Sequence, residues 1–396
     1  MQTRVALLIE TSGEYGRKVL SGIKHLSRLK GPWSFYLVPS GHEQRLPDIQ
    51  LWQATGIIAR VESLSVAKAI AKSGLPTIGL DLNDEVLRTL RRSTWVSEMH
   101  PDPVDITRLG FEHLSERGFR HVAFIGFSDL DFSNQRQQAF VRHATSAGLK
   151  CPVFAFRTKA RANRYGYVEA KLARWLKEQP RPLGLMCCND DCAREVLDTA
   201  LVAGINVPDD IAVVGVDNDD ILCDLCNPPL SSVIPDAFKT GYLAAELLNR
   251  VMSGQKVQEQ SIAVAPVGVQ TRQSTDVVAV SDHRISSAVR FIRENANKNI
   301  CVKDVLQAVP MSRTILDASF KKLFRCTPHD HILRVRVELV KTLLRTTDLS
   351  LAAIADRTGF EHVEYMSVVF KRAMGFPPGH YRSQRIKSES RNELAI

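Results

Sequence analysis

From the first residues to about Thr275, short β-branched runs alternate with longer amphipathic ones; beyond Thr275 the strands stop and helical periodicity continues almost to the end. The spacing predicts strands over Arg4–Ile9, Phe35–Val38, Gly56–Ala59, Thr77–Leu80, His121–Gly126, Val153–Phe156, Gly184–Cys188 and Ile211–Val216. Between them it predicts helices over Tyr15–Leu29, Leu64–Lys72, Val104–Glu116, Gln135–Ala147, Tyr165–Glu178 and Cys192–Ala203. Such alternation makes parallel sheets with helices on both faces. Parallel sheets of this kind hold ligands beyond the carboxyl ends of their strands. The alternating region is longer than one usual α/β domain. The expected fold is therefore a two-lobed α/β body with a ligand between its lobes, followed by an all-α domain. The expected boundaries are residues 1–275 for the body, 276–283 for a linker and 284–396 for the helical domain.

Composition narrows the class. Of 396 residues, 44% are hydrophobic and 24% charged, ordinary for a folded soluble protein. No apolar run reaches the ~18 residues that cross a bilayer, so no membrane partner is expected. Met1–Glu10 enters a strand without a basic leader, and a cytoplasmic location is expected. Eight cysteines are too sparse for a disulfide scaffold, and reduced thiols are expected.

The last third contains a repeat. SFKKLFRCTP (Ser319–Pro328) matches VFKRAMGFPP (Val369–Pro378), with Phe320/Phe370, Lys321/Lys371 and Pro328/Pro378 all 50 residues apart. Each copy reads helix, turn, longer helix and proline stop, which is a helix-turn-helix used twice. The first copy starts at Lys303–Val305, turns at Val309–Ser312 and continues as the helix Arg313–Phe324, with Ser312 as N-cap. The second runs Leu351–Arg357, turns at Thr358-Gly359, and forms a helix near His362–Met374. A connecting helix, Ile332–Thr346, presents Ile332, Val335, Leu339 and Leu343 on one face. From Asp282 onward there are 20 basic and 12 acidic residues, against 32 and 31 before it, so nearly all of the net +9 sits in this third. A basic terminal domain on a neutral body is the footprint of a phosphate-backbone binder.

DLSLAAIADRTGFEHVEYMSVVFKRAMGFPPGHYR (Asp348–Arg382) carries I-A, G-F, F-K and P-P-x-x-Y-R elements. With these, residues from about Ile285 to Arg385 strongly resemble the AraC/XylS family of transcription regulators. The resemblance implies that each second helix enters a DNA major groove. Helical geometry assigns Leu316, Phe320 and Leu323, then Met366, Phe370 and Ala373, to the core. Base-facing candidates are Arg313, Thr314, Asp317 and Ala318 in the first unit, and His362, Val363, Glu364, Ser367 and Val368 in the second. Lys321, Lys371, Arg372 and Arg382 are expected on phosphates. The bland alternative for each is a side chain that merely faces water.

GINVPDDIAVVGVDNDD (Gly204–Asp220), PLSSV (Pro229–Val233), PVGVQTRQST (Pro266–Thr275) and CCNDDCAREVL (Cys187–Leu197) resemble the LacI/GalR-type sensor. That resemblance implies a periplasmic-binding-protein-like fold over residues 1–275. EYGRKVLSGI (Glu14–Ile23) and RQQAF (Arg136–Phe140) extend the likeness to pentose-responsive regulators that join the two families. It implies D-xylose or a related pentose as ligand, operator or promoter DNA as partner, a homodimer, contact with RNA polymerase, and control of sugar-catabolic genes. Matched positions nominate Arg136, Asn189, Asp190, Asp217 and Asn218 from the second lobe. The first lobe offers Glu10, Tyr15 and Arg17, and Phe132 or Trp95 an apolar wall for the sugar ring. Asp217 directly follows the strand run IAVVGV. Asp190 serves equally well as a helix cap, and Asn218 as a turn residue.

Two rivals remain at this level. Cys223-x-x-Cys226 with Cys187, Cys188 and Cys192 suggests a metal or oxidant sensor, although the CxxC has no second pair. His329-Asp330-His331 has ligand types but reads as a helix start after Pro328. The other rival is a sugar-processing enzyme fused to a DNA reader. No GxxxxGK[ST], HExxH or GxSxG occurs, so no catalytic residue, metal or cofactor is expected.

Overall fold

The computed structural model describes residues 3–37, 52–61, 63–157, 167–277, 283–324, 326–347 and 349–382. The chain divides into two compact units, Met1–Asp276 and Val277–Ile396. Of the expected linker, residues 278–282 lie outside the described residues, as do Val38 and Tyr165 at the edges of expected elements.

The first unit holds two six-stranded sheets. The first sheet runs β11-β5-β4-β3-β1-β2, with β1 Arg4–Leu8, β2 Ser34–Leu37, β3 Gly56–Ala59, β4 Thr77–Leu80, β5 Val96–Pro101 and β11 Ser261–Val264 all parallel. Its central strands β1, β3 and β4 are buried on both sides because both faces are covered. Val5, Leu7 and Ile9 face α1 (Glu14–Lys30) and a late helix, Ala237–Met252. Ala6 and Leu8 face α2 (Leu64–Ser73) and α3 (Asp84–Arg91).

The second sheet runs β12-β10-β9-β8-β6-β7. Its strands are β6 His121–Phe127, β7 Val153–Phe156, β8 Leu183–Cys187, β9 Ile211–Val216, β10 Ser231–Ile234 and β12 Gly268–Gln270, with β12 alone antiparallel. The associated helices are α4 (Pro103–Glu116), α5 (Asp131–Ser146), α6 (Tyr167–Glu178), α7 (Asp190–Val202) and the short α8 (Asp220–Leu225), and α9 is Ala237–Met252. The helix expected at Gln135 begins at Asp131, and that expected at Cys192 begins at Asp190 under an Asn189 cap, so both helix N-termini reach the crevice.

The chain passes between the lobes three times: after β5, between β10 and α9, and between β11 and β12. The passages are tied together, since Asp102 N donates to Val264 O at 3.0 Å and Val267 N to Ile234 O at 2.8 Å. At the end of this unit, a polar string runs from His113 Nε2 through the hydroxyls of Thr275 and Ser231 (2.7 Å each) to the Arg272 carbonyl (2.9 Å).

The second unit is helical: α10 His283–Asn295, α11 Val302–Ala308, α12 Arg313–Phe324, α13 Pro328–Thr346, α14 Leu351–Arg357 and α15 Val363–Met374. It has two cores, one around Leu316 and Phe320 and one around Met366 and Phe370. The connecting helix starts four residues earlier than expected, because Thr327 and Asp330 form a reciprocal cap around Pro328. Its apolar face is also split. Ile332 and Val335 join the first core, while Val337, Val340 and Leu344 join the second. Leu339, expected on the shared face, belongs to neither. Among the described residues no helix is long and apolar enough to cross a membrane.

Candidate functional site

A cavity of about 260 Å³ lies where the carboxyl ends of the two sheets face each other. From the first lobe, the end of β1 supplies Glu10, the first turn of α1 supplies Glu14, Tyr15 and Gly16, and the residues following β3 and β4 supply Arg60 and Asp81. From the second lobe come Phe132 and Arg136 on α5, Asn189 and Asp190 after β8, and Asp217 and Asp219 after β9. Gly16 permits this layout: a Cβ there would stand 1.9 Å from the Glu10 carbonyl oxygen. The lining holds seven carboxylates and two guanidiniums, so it presents mainly hydrogen-bond acceptors.

Arg136 is buried, its Nη1 donating to Cys188 O at 2.5 Å and its Nη2 3.9 Å from Asp217 Oδ1. Phe132, expected as an apolar wall, lines the cavity with two guanidiniums against its ring. Arg136 and Arg60 sit 5.1 and 5.7 Å from its ring centroid. Asp217 adopts φ 113°, a strained value for a non-glycine residue, which turns it sharply at the strand end. Burial pushes its carboxyl up to about 6, against the pull of Arg136 and Arg60. Burial, then the charge of Asp217, holds Asp190 well above the usual range. The Tyr15 hydroxyl is buried without a hydrogen bond of good geometry, and burial followed by Asp81 raises its pKa.

Asp190 lines the cavity but is committed internally. Its oxygens accept from Ser232 Oγ (2.6 Å), Asp219 N (3.0 Å) and Cys223 Sγ (3.4 Å). The cap of α7 is Asn189, whose Oδ1 accepts from Cys192 N. Three nominated residues stand outside the lining. Asn218 is turned away at φ 49°, its amide donating to Asp220 and accepting from Arg272, because Arg272 draws that turn onto β10. Arg17 donates to the carbonyls of Thr11 and Ser12 and lies 3.8 Å from Asp219. Trp95 packs in the first core with Nε1 donating to Val257 O. At the cavity edge the lobes cap each other: Glu14 N donates to Asp219 Oδ2 (3.2 Å), and Asp220 N to Glu14 Oε2 (2.7 Å).

In the helical unit, Arg313, Thr314, Ala318, Lys321, His362, Glu364, Val368, Lys371 and Arg372 are exposed on α12 and at or along α15. Asp317 and Ser367 are half-buried, and Asp317 lies 3.6 Å from Arg313. Two expectations are corrected. Val363 packs against the second core, because the N-terminal turn of α15 leans onto it. Ala373 is exposed, although its neighbour Met374 still packs against that core. Arg382 is half-buried and donates from Nη2 to the Leu349 carbonyl at 2.6 Å.

Three family models match: the XylR N-terminal domain over residues 4–85, a periplasmic binding protein-like domain over 111–275 and a helix-turn-helix domain over 305–384. The xylose operon regulatory protein of Escherichia coli strain K12 is 29% identical over 383 residues, 96% of each chain. That of Haemophilus influenzae is 27% identical, over 96% of this chain and 98% of its own. The solved structure of a xylose-binding transcription activator, XylR, superposes over 97% of this chain and 98% of its own at a TM-score of 0.78, with 28% identity.

The chain is a homologue of these regulators.

Within this chain the sequence reasoning missed Arg60, Asp81, Glu14 and Asp219. Arg60 and Asp81 directly follow β3 and β4, the signal that identified Asp217. The cysteines give the thiol-sensor rival little chemistry. Cys187, Cys188, Cys192, Cys223 and Cys226 are buried, and burial pushes their thiols up, Cys226 to about 11. A thiol held protonated is a poor nucleophile and ligand. His329-Asp330-His331 opens α13, as expected.

Proposed function

We infer that this chain is a sugar-responsive DNA-binding transcription regulator whose ligand is D-xylose or a related pentose and which controls sugar-catabolic genes. The observation that carries the reading is the polar cavity at the facing carboxyl ends of two sheets, in one chain with paired helix-turn-helix units. In this reading Arg136, Arg60 and Asn189 donate to sugar oxygens, while Asp217, Asp81 and Glu10 accept from sugar hydroxyls. Asp190 holds the Asp219 turn, and Asn218 and Arg17 support the site from outside it. Tyr15 offers its unsatisfied hydroxyl. The sugar favours the lobe arrangement it binds more tightly, and it acts only through that difference. The regulator acts in the cytoplasm as a homodimer, without catalysing a reaction, and its DNA-bound form contacts RNA polymerase.

The test is calorimetry of the full chain with D-xylose, L-arabinose and D-glucose, with DNA binding measured beside it. A pentose should bind and change DNA affinity, and Arg136→Ala should weaken that sugar by about tenfold or more, the cost of a charged donor. The same variant should keep salt-sensitive DNA binding. Heat from none of the sugars would remove the ligand assignment, and DNA affinity indifferent to a bound pentose would remove the switch.

A further inference from the structure

Each helix-turn-helix unit has its own core, and the two cores meet along α13. Arg336 stands on α13 between Val335 of the first core and Val337 of the second. It is 5% exposed. Its Nε donates to Ala296 O at 2.9 Å and its Nη2 to Ile300 O at 3.0 Å, both in the segment entering the first unit. Its guanidinium also lies 5.6 Å from the ring centroid of Phe360, in the turn of the second unit. The neighbouring turn residue, Gly359, reinforces the junction. At φ +75° it comes so close that a Cβ would stand 2.2 Å from Ala296 O and 2.9 Å from Asn299 N. The turn of one unit is therefore seated on the entry loop of the other, with a guanidinium joining them.

A buried cation is costly to desolvate, and well-packed apolar side chains often stabilise a core as well or better. What the planar fork adds is direction: fixed donors and a flat face hold three groups in one geometry. We propose that Arg336 is a positioning residue that sets the separation and rotational register of the two recognition helices, α12 and α15, on DNA. The inference rests on the reading that both helices enter major grooves. Each base pair advances a groove by about 3.4 Å and 34°, so a braced pair accepts one spacing and a flexible pair accepts several.

The experiment is binding-site selection from a randomised duplex pool with the full chain, comparing wild type with Arg336→Met and Arg336→Lys. Thermal melting confirms that each variant is folded. Wild type should enrich two short elements at one separation. Arg336→Met, which keeps the aliphatic stem and loses the donors, should enrich the same elements at several neighbouring separations. In measured affinities, a one-base-pair change of spacer should weaken wild type by about tenfold and Arg336→Met by about twofold or less. Arg336→Lys, with one compact donor group in place of the fork, should fall between, and it serves alone if the Met variant does not fold. A single retained separation in every folded variant would overturn the proposal. Altered element sequences at an unchanged separation would also overturn it, by making Arg336 a base-reading residue. A wild type that enriches no element would bring down the DNA-reading assignment together with the proposal.

Discussion

Asp217 illustrates how a strand end makes an acceptor. Its carboxyl, lifted to about 6 by burial, accepts from a sugar hydroxyl more strongly once it has lost its proton. Sugar affinity is therefore expected to rise with pH through about 6, by at most about tenfold per unit below that point, and to be weak and nearly pH-independent in Asp217→Asn. Calorimetry between pH 5 and 8 checks this, and identical profiles for the two proteins would take Asp217 out of the site. On the DNA side, Glu364 and Lys371 are both exposed on α15 but differ in reach and charge. Glu364→Ala should relax preference at one base position, since a carboxylate discriminates mainly through cytosine N4. Lys371→Ala should weaken all sequences alike and flatten the salt dependence by about one unit. Site selection and salt titration of both variants test the division; a change at one base in the lysine variant would reverse it. Asp217 and Asn189 were legible in the sequence because each follows a strand in a resembling phrase, and Arg136 because it opens the resembling phrase RQQAF. Asn218 was misread as facing the cavity because Arg272, far along the chain, claims its side chain.

Elements with uniformly apolar strands were easy to find, and those with polar interiors were not. β5 contains Ser97 and Glu98, and β10 contains Ser231 and Ser232, all buried. Glu98 accepts hydrogen bonds from Leu82 N and Ser261 Oγ, and Ser232 donates to Asp190. Satisfied polar groups of this kind erase the apolar signature without weakening the strand. α4 holds a similar case in His113. Burial, then Arg117, lowers its pKa to about 3. A histidine depressed in the fold stabilises it above its unfolded pKa, near 6.5, and that contribution is lost as pH falls towards 3. His113→Gln should therefore be less stable than wild type at neutral pH yet lose less on acidification, the slopes differing by up to about 1.4 kcal/mol per pH unit in that window. Denaturant melts across pH 3–7 decide it, and parallel curves would mean that His113 titrates normally.

At the scale of the chain, charge and fold divide in the same place. Residues 282–396 expressed alone should bind DNA with an affinity that falls steeply with salt, and residues 1–275 should not. DNA binding by the longer piece would reverse the assignment of the two units. The change from strand alternation to helical periodicity was readable at Thr275, and the compact units part at Asp276–Val277. The interlobe passages were not readable, because they pair residues such as Asp102 and Val264 that no local pattern connects. Those passages run from β5 and β11, neighbours at one edge of the first sheet, and β10 and β12, neighbours at one edge of the second. In the proposed switch, three cords knotted side by side would act as a door hung along one jamb, for which swinging is easier than sliding. Whatever occupies the crevice is thus reduced to an angle of opening. Two sugars that prop the door equally are the same message, however different their hydroxyls, and one that binds tightly but leaves the door ajar is silent.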